Sequence, residues 1–374
     1  MSIDAPAGID TVPVPGPVLV VGCGLIGTSV ALALTHAGCR VHLRDISANH
    51  AELAESTGAG STSRPENVAL VVVAVPPDHV AGEVVAALHD WRDAVVTDVS
   101  SVKVLPMLAV ADSSGADASR YVGGHPMAGS ERSGPVAATA ELFEGRAWAV
   151  TPHATSAPHA VEVVRALAER CGASVVVMDP VEHDAAVARV SHLPHLLSVL
   201  TAAQLEVGPS AHLALAGQGL RDVTRIAGGD PALWRQILRA NAEPVSDLLR
   251  SVRADLDALI ADLEAVGVDA GPDAAPGRAF AGVLDRGAYG TTLIPGKHGS
   301  AERQELVVYV QVPDKAGELA RLFTDAGQSG VNIEDLRIDH DPGRPVGVAE
   351  VAVRPDQAPV LLRALLAKDW VAHL

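Results

Sequence analysis

A chain of 374 residues, 48% apolar and 20% charged, carries enough hydrophobic material for two or three packed domains and is not a disordered polymer. Its net charge of −17 excludes nucleic acid and anionic membrane as main partners, so an anionic small molecule would be held by local cationic groups. The cysteines, Cys23, Cys39 and Cys171, are odd in number and unclustered, which excludes a disulfide or zinc framework and points to a reducing, cytoplasmic compartment. Residues 1–16, rich in Pro, Ala and Gly, read as a flexible tail. That tail carries Asp4 and Asp10 but no Lys or Arg, the wrong charge for a signal peptide, and Thr28 and Ser29 break up any membrane span in the apolar run that follows.

Four branched residues at 18–21 predict a buried strand, and Gly22, Gly24 and Gly27 follow in G-x-G-x-x-G spacing before an apolar helix pattern that Leu25 and Ile26 open. In a dinucleotide site the first glycine allows the tight turn, the second admits the pyrophosphate, and the third lets the helix pack on its strand. The diphosphate would meet the free N–H groups of that helix. The next strand, 40–44, ends at Asp45, eighteen residues beyond Gly27, where a carboxylate can take ribose hydroxyls. Arg44 would suit a 2′-phosphate, but Asp45 makes NAD the expected cofactor. The plainer alternative is a core strand and helix with no ligand.

Strand and helix patterns then alternate: helix 50–57, strand 68–75, helix 78–89, strand 94–98, strand 147–150, helix 160–170 and strand 174–178. This predicts an α/β, Rossmann-type domain over residues 17–179, with Val75 and Pro76 at a strand's carboxyl end, where ligands gather. From 180 to 299 the strand signals stop. Helices are expected at 183–204 (interrupted by Pro194, which should kink it or open a new segment), 232–241 and 244–265, the last with an apolar stripe through Leu248, Leu249, Val252, Leu256, Leu259, Ile260 and Leu263. A Gly/Ala/Pro/Asp-rich break covers 267–277, a helical piece is expected at 278–286, and 294–300 closes this all-helical domain. Residues 304–374 read β-α-β-β-α-β, a ferredoxin-like order, with a strand starting at 331 and a hairpin turn at 341–343.

Two strand-end segments carry the candidate chemistry. Residues 98–103 include Ser101, and the glycine-rich loop at 123–134 includes His125, Ser130 and Glu131. His125 could serve as hydrogen-bond acceptor or general base, with Ser101 or Ser130 orienting it; a satisfied structural histidine is the competing reading. In the helical part, His192 and His195, and Asp222 and Arg225, are three apart and can share a helix face. No third acidic ligand at suitable spacing supports a metal. Arg225 is either a surface partner of Asp222 or a carboxylate clamp.

Together these segments resemble the prephenate/arogenate dehydrogenases of tyrosine biosynthesis. The carriers are residues 22–27, Asp-Val-Ser-Ser-Val-Lys at 98–103, 123–134, 191–195, 219–227, Trp234 and 295–299. Residues 314–319 with Asn332 and Ile333 resemble an ACT domain, the small regulatory module of some members. The resemblance implies an NAD-dependent oxidoreductase that oxidatively decarboxylates prephenate to 4-hydroxyphenylpyruvate. His125 would be the catalytic acceptor for the ring hydroxyl and Ser101 its positioner. Arg225 would hold a substrate carboxylate, with Ser130, Glu131 and His195 completing a pocket shaped by Asp222 and Trp234. It further implies a homodimer through the helical domain, and tyrosine as feedback inhibitor at an ACT site containing Asp314, Gly317, Asn332 and Ile333. Gln218 and Ala316 depart from the family pattern, where glycine and proline are common. Arogenate, alone or beside prephenate, is the alternative substrate, its ammonium facing Glu182 or Asp184. β-Hydroxyacid dehydrogenases and imine reductases use a Lys on the helical domain, and this chain has none between Lys103 and Lys297. A non-enzymatic nucleotide or amino-acid sensor would leave Ser101, His125 and Arg225 without a role.

Overall fold

The computed structural model describes residues 13–129, 133–266, 277–294, 305–340 and 345–374. The tail through residue 12, Ser130 and Glu131, the break at 267–276, the closing segment from 295 to 300 and the 341–343 turn lie outside the described residues. The chain divides into two compact units, Met1–Arg253 and Ala254–Leu374.

In the first unit β1 (Val18–Val21) runs into α1 (Leu25–His36), β2 (Val41–Arg44) into α2 (Ala48–Ser56), β3 (Leu70–Val73) into α3 (Pro77–Asp90), and β4 (Val95–Asp98) into α4 (Val104–Asp112). A helix between successive strands returns the chain to the same end, so all four strands are parallel, in the order β2-β1-β3-β4. β1, β3 and β4 are buried at every residue, as a sheet covered on both faces requires, and this explains their unbroken branched runs. After β2 the chain crosses to the other side of β1, which opens a crevice at the carboxyl ends of β1 and β3.

A second sheet follows, from β5 (Gly123–Pro126), β6 (Ala147–Thr151), α5 (Pro158–Arg170) and β7 (Ser174–Val177); β5 is antiparallel and β7 parallel to β6. Gly123 to Pro126 was expected in a loop and is instead a strand. The reason is close approach: a Cβ on Gly124 would stand 2.8 Å from the Asp98 carbonyl oxygen and 3.0 Å from the Trp148 indole nitrogen. A bridge between Val96 and Tyr121 ties the entry of β5 to β4, so His125 lies beside the end of β4. Val30, Leu34, Phe143, Trp148 and Leu167 fill the core on one side of the sheet, and Val80, Val84, Leu88 and Tyr121 the other.

The helices that follow are α6 (Pro180–Val187), α7 (Leu193–Val207), α8 (Gln218–Arg225), α9 (Pro231–Ala240) and α10 (Ala242–Val266). Of the two outcomes expected at Pro194, a kinked helix or a new segment, the structure shows the second. Pro194 sits in the first turn of α7, where no amide donor is needed, and a wide π-type turn, Ala188–His192, joins α7 to α6. The predicted stripe of α10 is only partly covered: Leu256, Ile260 and Leu263 are about half exposed on the single chain.

In the second unit, α11 (Arg278–Thr292) is tied to the end of α10 by an Arg286–Asp255 ion pair and by Asp262 accepting from the Phe280 amide. Then come β8 (Leu306–Pro313), α12 (Glu318–Gln328), β9 (Asp335–His340), β10 (Val346–Val353), α13 (Ala358–Leu366) and β11 (Val371–His373), in one antiparallel sheet of order β11-β8-β10-β9. The order β-α-β-β-α-β is the one expected, but β9 starts later than residue 331. Val331 and Ile333 pack into the core while pairing with β10 begins only at Asp335. No helix among the described residues is long and apolar enough to cross a membrane.

Candidate active site

The three glycines of the first turn meet three different surroundings. A Cβ on Gly22 (φ +102°) would lie 2.4 Å from the Ala74 carbonyl oxygen, and one on Gly27 would lie 2.0 Å from the Gly22 carbonyl oxygen. Gly24 faces open space, with nothing within 4 Å of its Cβ direction. It also stands at the cap of α1, where no side chain takes the free N–H groups. Two glycines thus close the turn and pack the helix, and the third leaves a bare, positive helix end, the arrangement that a pyrophosphate fits. Asp45 closes one side of this opening: its carboxylate accepts from the Cys23 amide (2.6 Å) and the Ser47 amide (2.8 Å). Burial and the neighbouring Asp45 push the Cys23 thiol up to about 12. Arg44, the candidate for a 2′-phosphate, is ion-paired with Glu83 of α3 at 2.7 Å. Half-buried Val75 and exposed Pro76 follow β3 at the same end of the sheet.

Beside that opening, the end of β4 holds a buried charge cluster. Asp98 pairs with Lys103, both side chains being fully buried, and also accepts from the Tyr121 hydroxyl (2.8 Å) and the Ser100 amide (2.8 Å). Lys103 donates to the Gly124 carbonyl at 2.6 Å, which pins β5 one residue before His125. Desolvation lowers the Lys103 pKa, against the pull of Asp98 and Asp184.

His125 is buried, and its Nδ1 lies 2.9 Å from Nε2 of His183. His183 Nδ1 in turn lies 2.8 Å from Asp184 Oδ1. Asp184 also accepts from the amides of Lys103 (2.8 Å) and Val104 (2.9 Å) at the start of α4. Its two oxygens are thus engaged inside the protein, and at 3% exposure it is not available to a substrate ammonium, a correction to the sequence expectation. Burial first, then the nearby His183, Lys103 and His192, hold His125 well below the usual histidine range, so it is neutral at neutral pH. Ser101 was expected to orient His125. Among the described residues no hydrogen bond joins the two, and the partner of His125 is His183.

The helical residues extend this cluster. Asn241 Nδ2 stands between the Asp184 carbonyl oxygen (2.8 Å) and His192 Nδ1 (3.1 Å). Burial lowers the His192 pKa to about 4. His192 meets the Trp234 ring edge-on, and His195 stacks flat on it with centroids 3.5 Å apart. Gly229 makes room for that ring, since a Cβ there would lie 2.7 Å from the indole nitrogen. Arg225 and Asp222 are exposed near the end of α8. Among the described residues they form no ion pair with each other; Asp222 accepts from Gln218 instead (3.0 Å). His125, His192, His195 and Trp234 are therefore brought into one contiguous cluster, and no described contact adds Arg225 or Asp222 to it. Sequence reasoning missed His183, Asn241 and Lys103 as members. The available signal was a His-Asp pair followed by the apolar run Ala185–Val187 in a short helix, where burial demands partners for both.

Known proteins match the chain over most of its length. The family model described as "Prephenate dehydrogenase, nucleotide-binding domain" matches residues 30–177, and "Prephenate dehydrogenase, dimerization domain" matches residues 179–270. The chain is 37% identical over 360 residues to the probable prephenate dehydrogenase NovF of Streptomyces niveus, covering 95% of this chain and 99% of that protein. It is 30% identical over 340 residues to the prephenate dehydrogenase of Bacillus subtilis (strain 168), covering 86% and 87%. Among solved structures, prephenate dehydrogenase from A. aeolicus in complex with hydroxyphenyl propionate and NAD+ is similar at 26% identity and a TM-score of 0.64, covering 74% of this chain and 98% of that one.

Proposed function

The chain belongs to the prephenate dehydrogenase family, and on that premise we propose that His125 is the group that takes the proton of the substrate's ring hydroxyl. The protein is an NAD-dependent oxidoreductase and its reaction is the oxidative decarboxylation of prephenate to 4-hydroxyphenylpyruvate. Bound NAD supplies a two-electron acceptor for the hydride that leaves ring C4. Gly22 and Gly27 build the cradle, Gly24, Leu25 and Ile26 present the helix end, Asp45 meets the ribose hydroxyls, and Val75 and Pro76 line the far wall.

One observation carries the proposal: a buried, neutral imidazole sits at the carboxyl edge of the sheet, with one ring nitrogen engaged by His183. A neutral histidine can accept the hydroxyl proton as the C4–H bond gives up its hydride; the ring carboxylate then departs as CO₂, its electron pair makes the ring aromatic and reaches the C4 oxygen, and that oxygen takes the proton back from His125. Aromatisation drives the step, so positioning and one proton acceptor suffice. Ser101 orients the ring hydroxyl, and Arg225 holds a substrate carboxylate by its planar guanidinium. His195, Asp222, Trp234, Ser130 and Glu131 complete the pocket, with groups from both subunits of a homodimer formed through the helical domain. The half-exposed stripe of α10 supports that pairing. The domains run 17–179, 180–299 and 304–374. The β-α-β-β-α-β order of the last supports an ACT module that takes tyrosine as feedback inhibitor near Asp314, Gly317, Asn332 and Ile333. Three free cysteines support a cytoplasmic location.

The test is His125→Asn. It should lower turnover of prephenate by about 10²–10⁴-fold with NAD binding intact, the usual weight of one proton-transfer group. Arg225→Ala should instead mainly raise the KM for prephenate. Full turnover in His125→Asn contradicts the role given to this residue.

A further inference from the structure

We infer that His183 is a positioning residue for the reaction, its ring holding His125 in the one tautomer and orientation that leaves Nε2 free to accept a proton. The inference rests on the proposed role of His125. Asp184 starts the line. Both its oxygens accept from backbone amides at the start of α4. Oδ1 accepts in addition from His183 Nδ1 at 2.8 Å. With its proton on Nδ1, His183 presents a lone pair at Nε2, and the group facing it at 2.9 Å is Nδ1 of His125. Two lone pairs cannot share a hydrogen bond, so His125 Nδ1 carries the proton and donates it. The single remaining lone pair of a neutral His125 is then on Nε2.

The mounting of this line is rigid. His183 is 1% exposed and Asp184 3%; Asn241 holds the Asp184 carbonyl from α9's end; Lys103 fixes the carbonyl of Gly124. His125 and His183 meet edge-on, with an interplanar angle of 70°, so a rotation of His125 would break the bond at once. The charged and titratable groups around His125 are Lys103 from the β4–α4 connection, His183 and Asp184 from α6, and His192 from the π-type turn.

Two variants of the full-length enzyme test this, compared with His125→Asn under saturating NAD. His183→Leu removes the acceptor while keeping an apolar volume; His183→Gln returns an amide oxygen near the Nε2 position. The expected result is a fall in kcat of about 10–100-fold in His183→Leu, the usual effect of losing such an outer partner, with the KM for prephenate and the affinity for NAD little changed. The acid limb of the kcat/KM profile should move further down, because protonated His125 loses the neutral acceptor to which its Nδ1–H donates. His183→Gln should recover most of kcat. A merely structural role would weaken NAD binding and leave the pH limb where it is. Unchanged kcat and unchanged acid limb in His183→Leu, beside an inactive His125→Asn, overturns the inference alone. Equal losses in Leu and Gln variants with an unmoved limb also overturn it. Turnover retained in His125→Asn overturns the underlying role of His125 as well.

Discussion

Gly24 and Gly27 are three residues apart in one motif, yet the structure predicts opposite consequences for adding the same methyl group. At Gly27 the new Cβ would lie 2.0 Å from the Gly22 carbonyl oxygen and 2.9 Å from the Ala74 Cβ, more than an ångström inside ordinary contact with backbone that cannot rotate away. Overpacking of this kind costs about 1–3 kcal/mol, and a backbone obstacle places Gly27→Ala at the upper end. For a unit of this size that corresponds to a fall of roughly 6–12 °C in Tm. At Gly24 the Cβ direction is empty, and the residue's φ of −80° suits alanine, so Gly24→Ala should keep stability within about 0.5 kcal/mol. Its cost falls on the cofactor. A methyl group where the pyrophosphate approaches should cost about 1–3 kcal/mol of binding, a roughly 5–150-fold loss of NAD affinity. Thermal unfolding of the apoprotein and calorimetric titration with NAD separate the two. If Gly24→Ala melts as early as Gly27→Ala, or binds NAD as the wild type does, the division of labour among the glycines is wrong.

Lys103→Met leaves Asp98 buried without its cation and should destabilise the protein by about 3–5 kcal/mol in urea titration; a loss below about 1 kcal/mol would mean that the Tyr121 and Ser100 contacts alone suffice. Glu83→Ala frees Arg44 at the edge of the ribose site, so kcat/KM with NADP should rise relative to NAD; an unchanged ratio would show that the Arg44–Glu83 pair has no part in cofactor choice. His192 titrates near 4 in the folded chain against an ordinary value of 6.5, so the unfolded chain takes up protons first as the medium is acidified. His125, His153 and His195 are shifted the same way, and stability should therefore be level above 6.5 and fall progressively between 6.5 and 4. Chemical denaturation across that window checks the sign, and stability that rises on acidification would contradict it.

The nucleotide half of the molecule was legible because its signals are local. The run from Val18 to Val21, the glycine spacing and the placing of Asp45 are each set by contacts within one β-α-β unit, and the structure returns them with strand ends moved by a residue or two. Gly123 and Gly124 were misjudged as loop formers because glycine's second use, letting strands pass close, depends on a neighbour distant in sequence. His183 escaped notice, and Asp184 was assigned to a substrate ammonium instead of to His183, for the same reason. Their partners, His125 and the amides of Lys103 and Val104, lie 58 to 81 residues away, and no periodicity marks such a pairing. Pro194 shows a milder limit: the residue type announced a helix boundary, but whether it kinked a helix or began one was decided by the π-type turn before it.

The most direct test of the central claim is the initial rate of NADH formation by the purified protein with NAD, prephenate and arogenate being offered separately. The account predicts turnover of prephenate with the higher kcat/KM, and a lower rate with arogenate, since Asp184, one of the two carboxylates expected to face its ammonium, is buried with both oxygens engaged. No NADH from either compound, with NAD still bound, would contradict it and leave the protein as a nucleotide-binding sensor.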